Sequence, residues 1–204
     1  MHQLKQIRVG NISTSDIELR DLLKAWIAIS VMFASISAGS ILSKNFYSSF
    51  VIASLTVGTG FLLHELGHKI VAQRCGCFAE FRSFDQMLLL GVLMALFAPF
   101  IFAAPGAVMI SGKVSKEKNG KISAAGPAVN LILGLLFLAA ILLGASGMIK
   151  QIAMYGFMIN SWLALFNMIP FWLFDGAKIL RWNKTVYFLI VAIGISFMLL
   201  RNMI

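Results

Sequence analysis

Six apolar stretches, at roughly 25–42, 48–68, 87–110, 122–146, 151–174 and 185–200, leave this chain of 204 residues little room for anything but membrane helices. A span takes about 20 mostly apolar residues. The chain is 59% hydrophobic with a mean hydropathy of +0.88, where soluble domains run at about 45–50% apolar. The fold class it predicts is an all-α polytopic membrane protein with about five to six transmembrane helices. Residues 1–24 read as a polar tail and 25–204 as one transmembrane domain. That tail lacks the apolar core of a cleavable signal. No polar stretch exceeds about 25 residues, too short for a soluble domain of about 50 or more.

The formal charge of +9 would suggest nucleic acid in a soluble protein. Here the lysines and arginines sit between apolar stretches, where they set topology, and no nucleic-acid partner is implied. Fourteen of the seventeen fall in four clusters: Lys5, Arg8, Arg20 and Lys24; Lys69, Arg74 and Arg82; Lys113, Lys116, Lys118 and Lys121; Lys178, Arg181 and Lys184. Lys44, Lys150 and Arg201 lie at the opposite ends of the same stretches. The pattern predicts a multi-pass protein of the cell membrane with its N-terminus cytoplasmic and its C-terminus outside. Cys75 and Cys77, two residues apart, read as free thiols on a reducing side.

The stretch 87–110 begins and ends at inside clusters. Going out and back as two helices needs about 40 residues, and 24 are present. A re-entrant element is therefore expected: a helix near 86–103, a turn at Ala104-Pro105-Gly106, and a returning strand in GAVMISGKV. A strand rises about 3.3 Å per residue against 1.5 Å for a helix, so few residues suffice for the return. The competing expectation is a plain sixth span.

Inside the second stretch stands FLLHELGHKI, residues 61–70. A charge at the centre of a membrane helix costs roughly 3 kcal/mol on insertion scales, so this cluster needs a compensating partner. His64 and His68 share one helix face a turn apart, and two imidazoles so placed can hold one Zn²⁺. Glu65 stands beside the first ligand and can reach water without competing for the metal. This is the H-E-x-x-H arrangement of zinc hydrolases. A structural zinc site, or a plain His–Glu helix pair, is the blander alternative.

A catalytic zinc takes three protein ligands and keeps one open position. The remaining histidine is His2, in the polar tail, so the third ligand is expected to be Asp, Glu or Cys. Glu117 lies among lysines, and Glu80 and Asp85 flank Arg82 in a polar connector. Asp175 differs. In NMIPFWLFDGAKIL it follows an apolar run that Pro170 breaks, and Gly176 permits a tight turn after it. It also falls near the inside end of its stretch, at the depth of the two histidines.

H64-E-L-G-H68, then AAGPAVN (124–130), then NMIPFWLFDG (167–176), resembles the site-2 protease family of intramembrane zinc metalloproteases, peptidase family M50. The likeness covers roughly residues 48–180. It implies a single transmembrane protease domain over 25–204 with its core at 48–180, and a short β element before the middle helix, where APGAVMISGKV stands. It implies one Zn²⁺ on His64, His68 and Asp175, Glu65 as catalytic general base, and Asn130 and Asn167 as hydrogen-bond donors to substrate or to the oxyanion. The implied substrate is a transmembrane segment of another protein in the lipid bilayer, cut at a site toward the cytoplasmic side. Two rivals compete. A zinc protease with a Glu third ligand finds no downstream Glu outside a polar connector. A zinc-binding scaffold or transporter would have ionisable groups along several stretches, or lack the base at Glu65.

Overall fold

The computed structural model describes residues 6–10, 12–98, 105–171 and 174–204. The first described elements, within the polar segment 1–24, form a hairpin. β1 (Gln6–Val9) pairs antiparallel with β2 (Ile12–Ser15), Gln6 opposite Ser15. The first helix, α1 (Asp16–Ala38), begins at Asp16 instead of 25. Ser15 caps it, its hydroxyl accepting from Glu18 N at 3.2 Å, which satisfies one of the amides left open at a helix start. The polar first turns are helical because their charges are paired. Glu18 is fully buried and takes Lys69 Nζ at 2.5 Å, Phe81 N at 2.9 Å and Thr14 Oγ1 at 2.7 Å.

The second apolar stretch is one continuous helix, Phe46–Arg74, of 29 residues. It comprises α2 (Phe46–Ala53), a π-helical turn (Ser54–Gly58) and α3 (Thr59–Arg74), which carries the H-E-x-x-H motif. After it comes β3 (Phe78–Ser83), in what the sequence presented as a polar connector. Its Ala79 and Phe81 are fully buried and Glu80 between them is buried as well, so no alternation marks the strand in the sequence. The helix α4 (Asp85–Phe97) and the strand β4 (Gly106–Ser111) follow. The last residues of the expected 86–103 helix, and Ala104 of the expected turn, lie outside the described residues. β3 and β4 form a two-stranded antiparallel sheet running from Phe78↔Ser111 to Ser83↔Gly106.

The remaining elements are helical: α5 (Lys116–Leu142), α6 (Gly147–Asn167), α7 (Asp175–Trp182) and α8 (Lys184–Leu200). Ser115 and Asn183 cap α5 and α8 through Lys118 N and Val186 N. Among the described residues, three helices are long and apolar enough to cross a membrane: Asp16–Ala38, Phe46–Arg74 and Lys116–Leu142. Asp85–Phe97 and Lys184–Leu200 are shorter apolar helices. The chain is thus mostly helical, with large apolar side chains such as Leu135, Leu136, Leu142 and Leu189 left exposed, as a lipid-facing surface requires.

Three packing centres position the site. Leu131, Ala164, Met168, Ile179, Tyr187 and Ile190 join α5, α6, α7 and α8. Ile29, Ala53, Val57 and Ile159 join α1, the π-turn region and α6. Ala72, Cys77, Ala79 and Ile122 pack the end of α3 and the small sheet against the start of α5.

Candidate metal centre

His64, Glu65 and His68 come from α3, and Asp175 is the first residue of α7. All four are buried, each at most 8% exposed. The structure brings them together. His64 Nε2 and His68 Nε2 are 3.0 Å apart, and Asp175 Oδ2 stands 3.0 Å from His68 Nε2 and 3.5 Å from His64 Nε2. His64, Glu65 and His68 also form a group whose ligand atoms all lie within 4.8 Å of one another.

The surrounding hydrogen bonds decide which ring nitrogens carry protons. On α6, Asn160 donates through Nδ2 to Gly156 O at 2.9 Å, so its Oδ1 faces Asn130. Asn130 Nδ2 donates to Asn160 Oδ1 at 3.0 Å and to Gly60 O at 3.2 Å. Both donors of that amide are used, and its Oδ1 is left to accept from His64 Nδ1 at 2.6 Å. His68 Nδ1 donates to Ile122 O at 2.8 Å. With both rings neutral, each keeps one N–H and one bare nitrogen, which leaves both Nε2 atoms bare. In that state two lone pairs and a carboxylate oxygen converge with no donor among them.

Three buried acceptors at that spacing fit a cation. Zinc held tetrahedrally by nitrogen and oxygen at about 2.0–2.1 Å sets neighbouring ligand atoms about 3.3 Å apart, and the observed 3.0, 3.0 and 3.5 Å bracket that value. The wall opposite is cut away. A Cβ built on Gly126 of α5 would stand 2.5 Å from both Nε2 atoms. Gly176 serves the other side, since a Cβ there would collide with the Met168 carbonyl, whose oxygen accepts from Tyr187 Oη at 2.9 Å. Pro127 lacks the N–H that would serve the Ser123 carbonyl one turn back, and the adjoining carbonyl, Ile122 O, is the one His68 takes.

Glu65 points toward the small sheet. Its Oε2 accepts from Val108 N at 3.1 Å, while Phe81, opposite Val108 in the register, gives its N–H to Glu18. Both amides point away from the partner strand, which makes Phe81↔Val108 a non-hydrogen-bonded pair. Beside Glu65 lies a cavity of about 60 Å³ lined by Phe61, His64, Glu65, Asn130, Leu163 and Asn167. One water needs about 15 Å³ at most of such volume, so there is room for water next to the carboxylate. Asn167 reaches this cavity, and its Nδ2 donates to Leu163 O of its own helix at 2.9 Å.

Two assignments shift. Asn130, expected from the sequence to face substrate, spends every polar atom on His64, Gly60 and Asn160. Asn160, which sequence reasoning passed over, holds Asn130. Its one signal was a polar amide inside the apolar run of α6, where such a group needs a partner. Glu80, one of the weighed acidic candidates, pairs with Arg82 instead. Asp85 takes Lys24 Nζ at 2.8 Å, and Glu117 takes Lys121 Nζ at 2.5 Å. His2 lies outside the described residues.

Two archaeal proteins of Methanocaldococcus jannaschii are similar in sequence. "Putative zinc metalloprotease MJ0611" is 40% identical over 152 residues, which are 74% of this chain and 80% of that protein. "Zinc metalloprotease MJ0392" is 28% identical over 153 residues, 74% of this chain and 39% of that protein, so the chain spans about two fifths of this longer relative. No family model matches, and no solved structure does.

Proposed function

From the premise that this chain belongs to the zinc metalloprotease family of its archaeal relative, we propose that it is an intramembrane protease of the site-2 type. It hydrolyses peptide bonds in or near transmembrane segments of other membrane proteins. The observation that carries this reading is the convergence of two bare imidazole nitrogens and a carboxylate oxygen on a 29-residue apolar helix, with Glu65 beside them. The re-entrant path of 87–110, five to six spans, and an N-terminus and site facing the cytoplasm belong to the same proposal. The four basic clusters support it.

His64, His68 and Asp175 would hold a single zinc ion. When bound, zinc supplies a Lewis acid that acidifies water and polarises a carbonyl oxygen. Glu65 takes the proton from the attacking water as the oxygen bonds to the scissile carbonyl carbon. It then gives that proton to the leaving amine as the C–N bond breaks. Asn130 keeps His64 in the tautomer whose Nε2 is bare. Asn167 has a second amide hydrogen beyond the one on Leu163 O, and from the cavity wall it can donate to a substrate carbonyl or the developing oxyanion. A bound dication would offset the charges of the buried Asp175 and Glu65.

A substrate helix has its peptide groups hydrogen-bonded and must unwind before it can be cut. Once Glu65 releases the Val108 N–H it accepts from, the outer edge of β4 could pair with an unwound segment as an added strand. Cleavage of a single-span substrate by the purified protein in detergent, wild type beside Glu65→Gln with zinc quantified in both, tests the reading. Cleavage by wild type alone, with about one zinc in each, is expected. Zinc without cleavage in either would favour the metal-binding scaffold, and no zinc in either would remove the centre itself.

A further inference from the structure

Next to the metal centre, where the start of α5 meets the α7–α8 corner, opens a cleft of about 570 Å³ that the chemistry above does not use. Lys116, Asn119, Lys178, Leu180, Arg181 and Lys184 line it. Its four cations come from two places far apart in sequence, the start of α5 and the α7–α8 corner. Topology alone asks only that basic residues lie on the inner side of the membrane; it does not ask that they converge on one concavity. Among the described residues, Lys116, Arg181 and Lys184 have no carboxylate within ion-pair distance. Lys178 Nζ is 3.6 Å from Asp175 Oδ1, an acid already committed to the two imidazoles.

The setting also fits a membrane surface. Lys116 is the first residue of α5 and Lys184 the first of α8, and both helices run on as apolar segments. The cleft therefore sits at the polar ends of two lipid-facing helices, bordered by the positive ends of their dipoles. Leu180 adds the one apolar side chain, on the wall between the basic groups.

We propose that this cleft is a binding site for a phosphate-bearing anion, and that its resident ligand is the headgroup of an anionic phospholipid of the inner leaflet. The phosphate diester sits among Lys116, Arg181 and Lys184, with Arg181 able to grip two oxygens at once. Basic residues near an anionic surface each contribute about fivefold to affinity. Lys178 joins the cleft to the metal centre through Asp175, so it is left unaltered in the test.

The test is native mass spectrometry of the full chain released from an uncharged detergent. The protein is titrated in separate arms with phosphatidylglycerol, phosphatidylcholine and inorganic phosphate. Wild type is expected to take up one saturable phosphatidylglycerol and no saturable phosphatidylcholine. The double variant R181Q/K184Q is expected to bind about twenty-five-fold more weakly, fivefold per cation removed. K116Q, on a different helix, is expected to lose about fivefold, and it carries the test if the double variant fails to fold. K44Q/K150Q, at the opposite ends of the spans, is expected to match wild type. Saturation by inorganic phosphate at the same concentration would place a soluble phosphate in the same cleft in place of a lipid. Equal losses in K44Q/K150Q and R181Q/K184Q, or equal uptake of phosphatidylcholine, would overturn the site. Neither zinc nor proteolysis enters the readout, so its failure is separable from failure of the protease reading.

Discussion

At the residue scale the centre depends on side chains that never touch substrate. Asn130 fixes the proton of His64, and partners of this kind are typically worth 10–100-fold in metal affinity. Asn130→Ala should therefore weaken zinc binding by about that factor while leaving the fold intact, as read by competition with a chromophoric chelator. Asp175→Ala should weaken both zinc binding and turnover. Unchanged zinc content in that variant would remove Asp175 as a ligand. Gly126→Ala puts a methyl group 2.5 Å from both histidine Nε2 atoms, and should abolish zinc uptake without unfolding the protein, checked by metal analysis beside circular dichroism. H-E-x-x-H made the two histidines and the glutamate legible in the sequence, because helical spacing alone puts ligands on one face. Asp175 was legible through its depth and its glycine. Asn160 was not, because its worth lies entirely in an amide on another helix.

At the element scale, α1 is tied to α3 and the small sheet by one buried acid. Glu18 meets Lys69 of α3, Phe81 N of β3 and Thr14 of the hairpin. Removing one partner of a buried pair strands the other charge, at about 3–5 kcal/mol. Glu18→Ala should lower unfolding stability in detergent by that order, and E18L/K69M should recover most of it. A double variant as unstable as the single one would mean that the Phe81 and Thr14 bonds dominate. The sequence presented this region as a polar tail and a polar connector, since Glu18, Lys69 and Phe81 are 51 and 63 residues apart for the two contacts. Pairing at such separation leaves no local periodicity. The apolar helices were easier to see, as each announces itself by composition. Their ends were less so, because α1 extends through charged turns that only tertiary partners make stable.

At the scale of the whole molecule, a metal held between α3 and α7 would link binding to folding. A ligand that binds only the folded state at a hundred times its Kd adds about 2.7 kcal/mol. Zinc at that excess should raise the unfolding midpoint, a chelator should reverse the rise, and Asp175→Ala should show a smaller one. The proposed orientation has its own check. With Cys75 and Cys77 replaced by serine, Lys113→Cys should react with an impermeant maleimide only from the cytoplasmic face, and Ala145→Cys only from the opposite face. Reaction of both from one face would refute the arrangement of spans.

The chain of amides from Gly156 through Asn160 and Asn130 to His64 joins α6, α5 and α3 in series. Whatever separates those helices must break a link in it, and the last link sets how well an imidazole holds its metal. In the proposed protease, zinc occupancy would follow helix spacing: parting α6 from α3 would loosen the metal, far from where the force was applied.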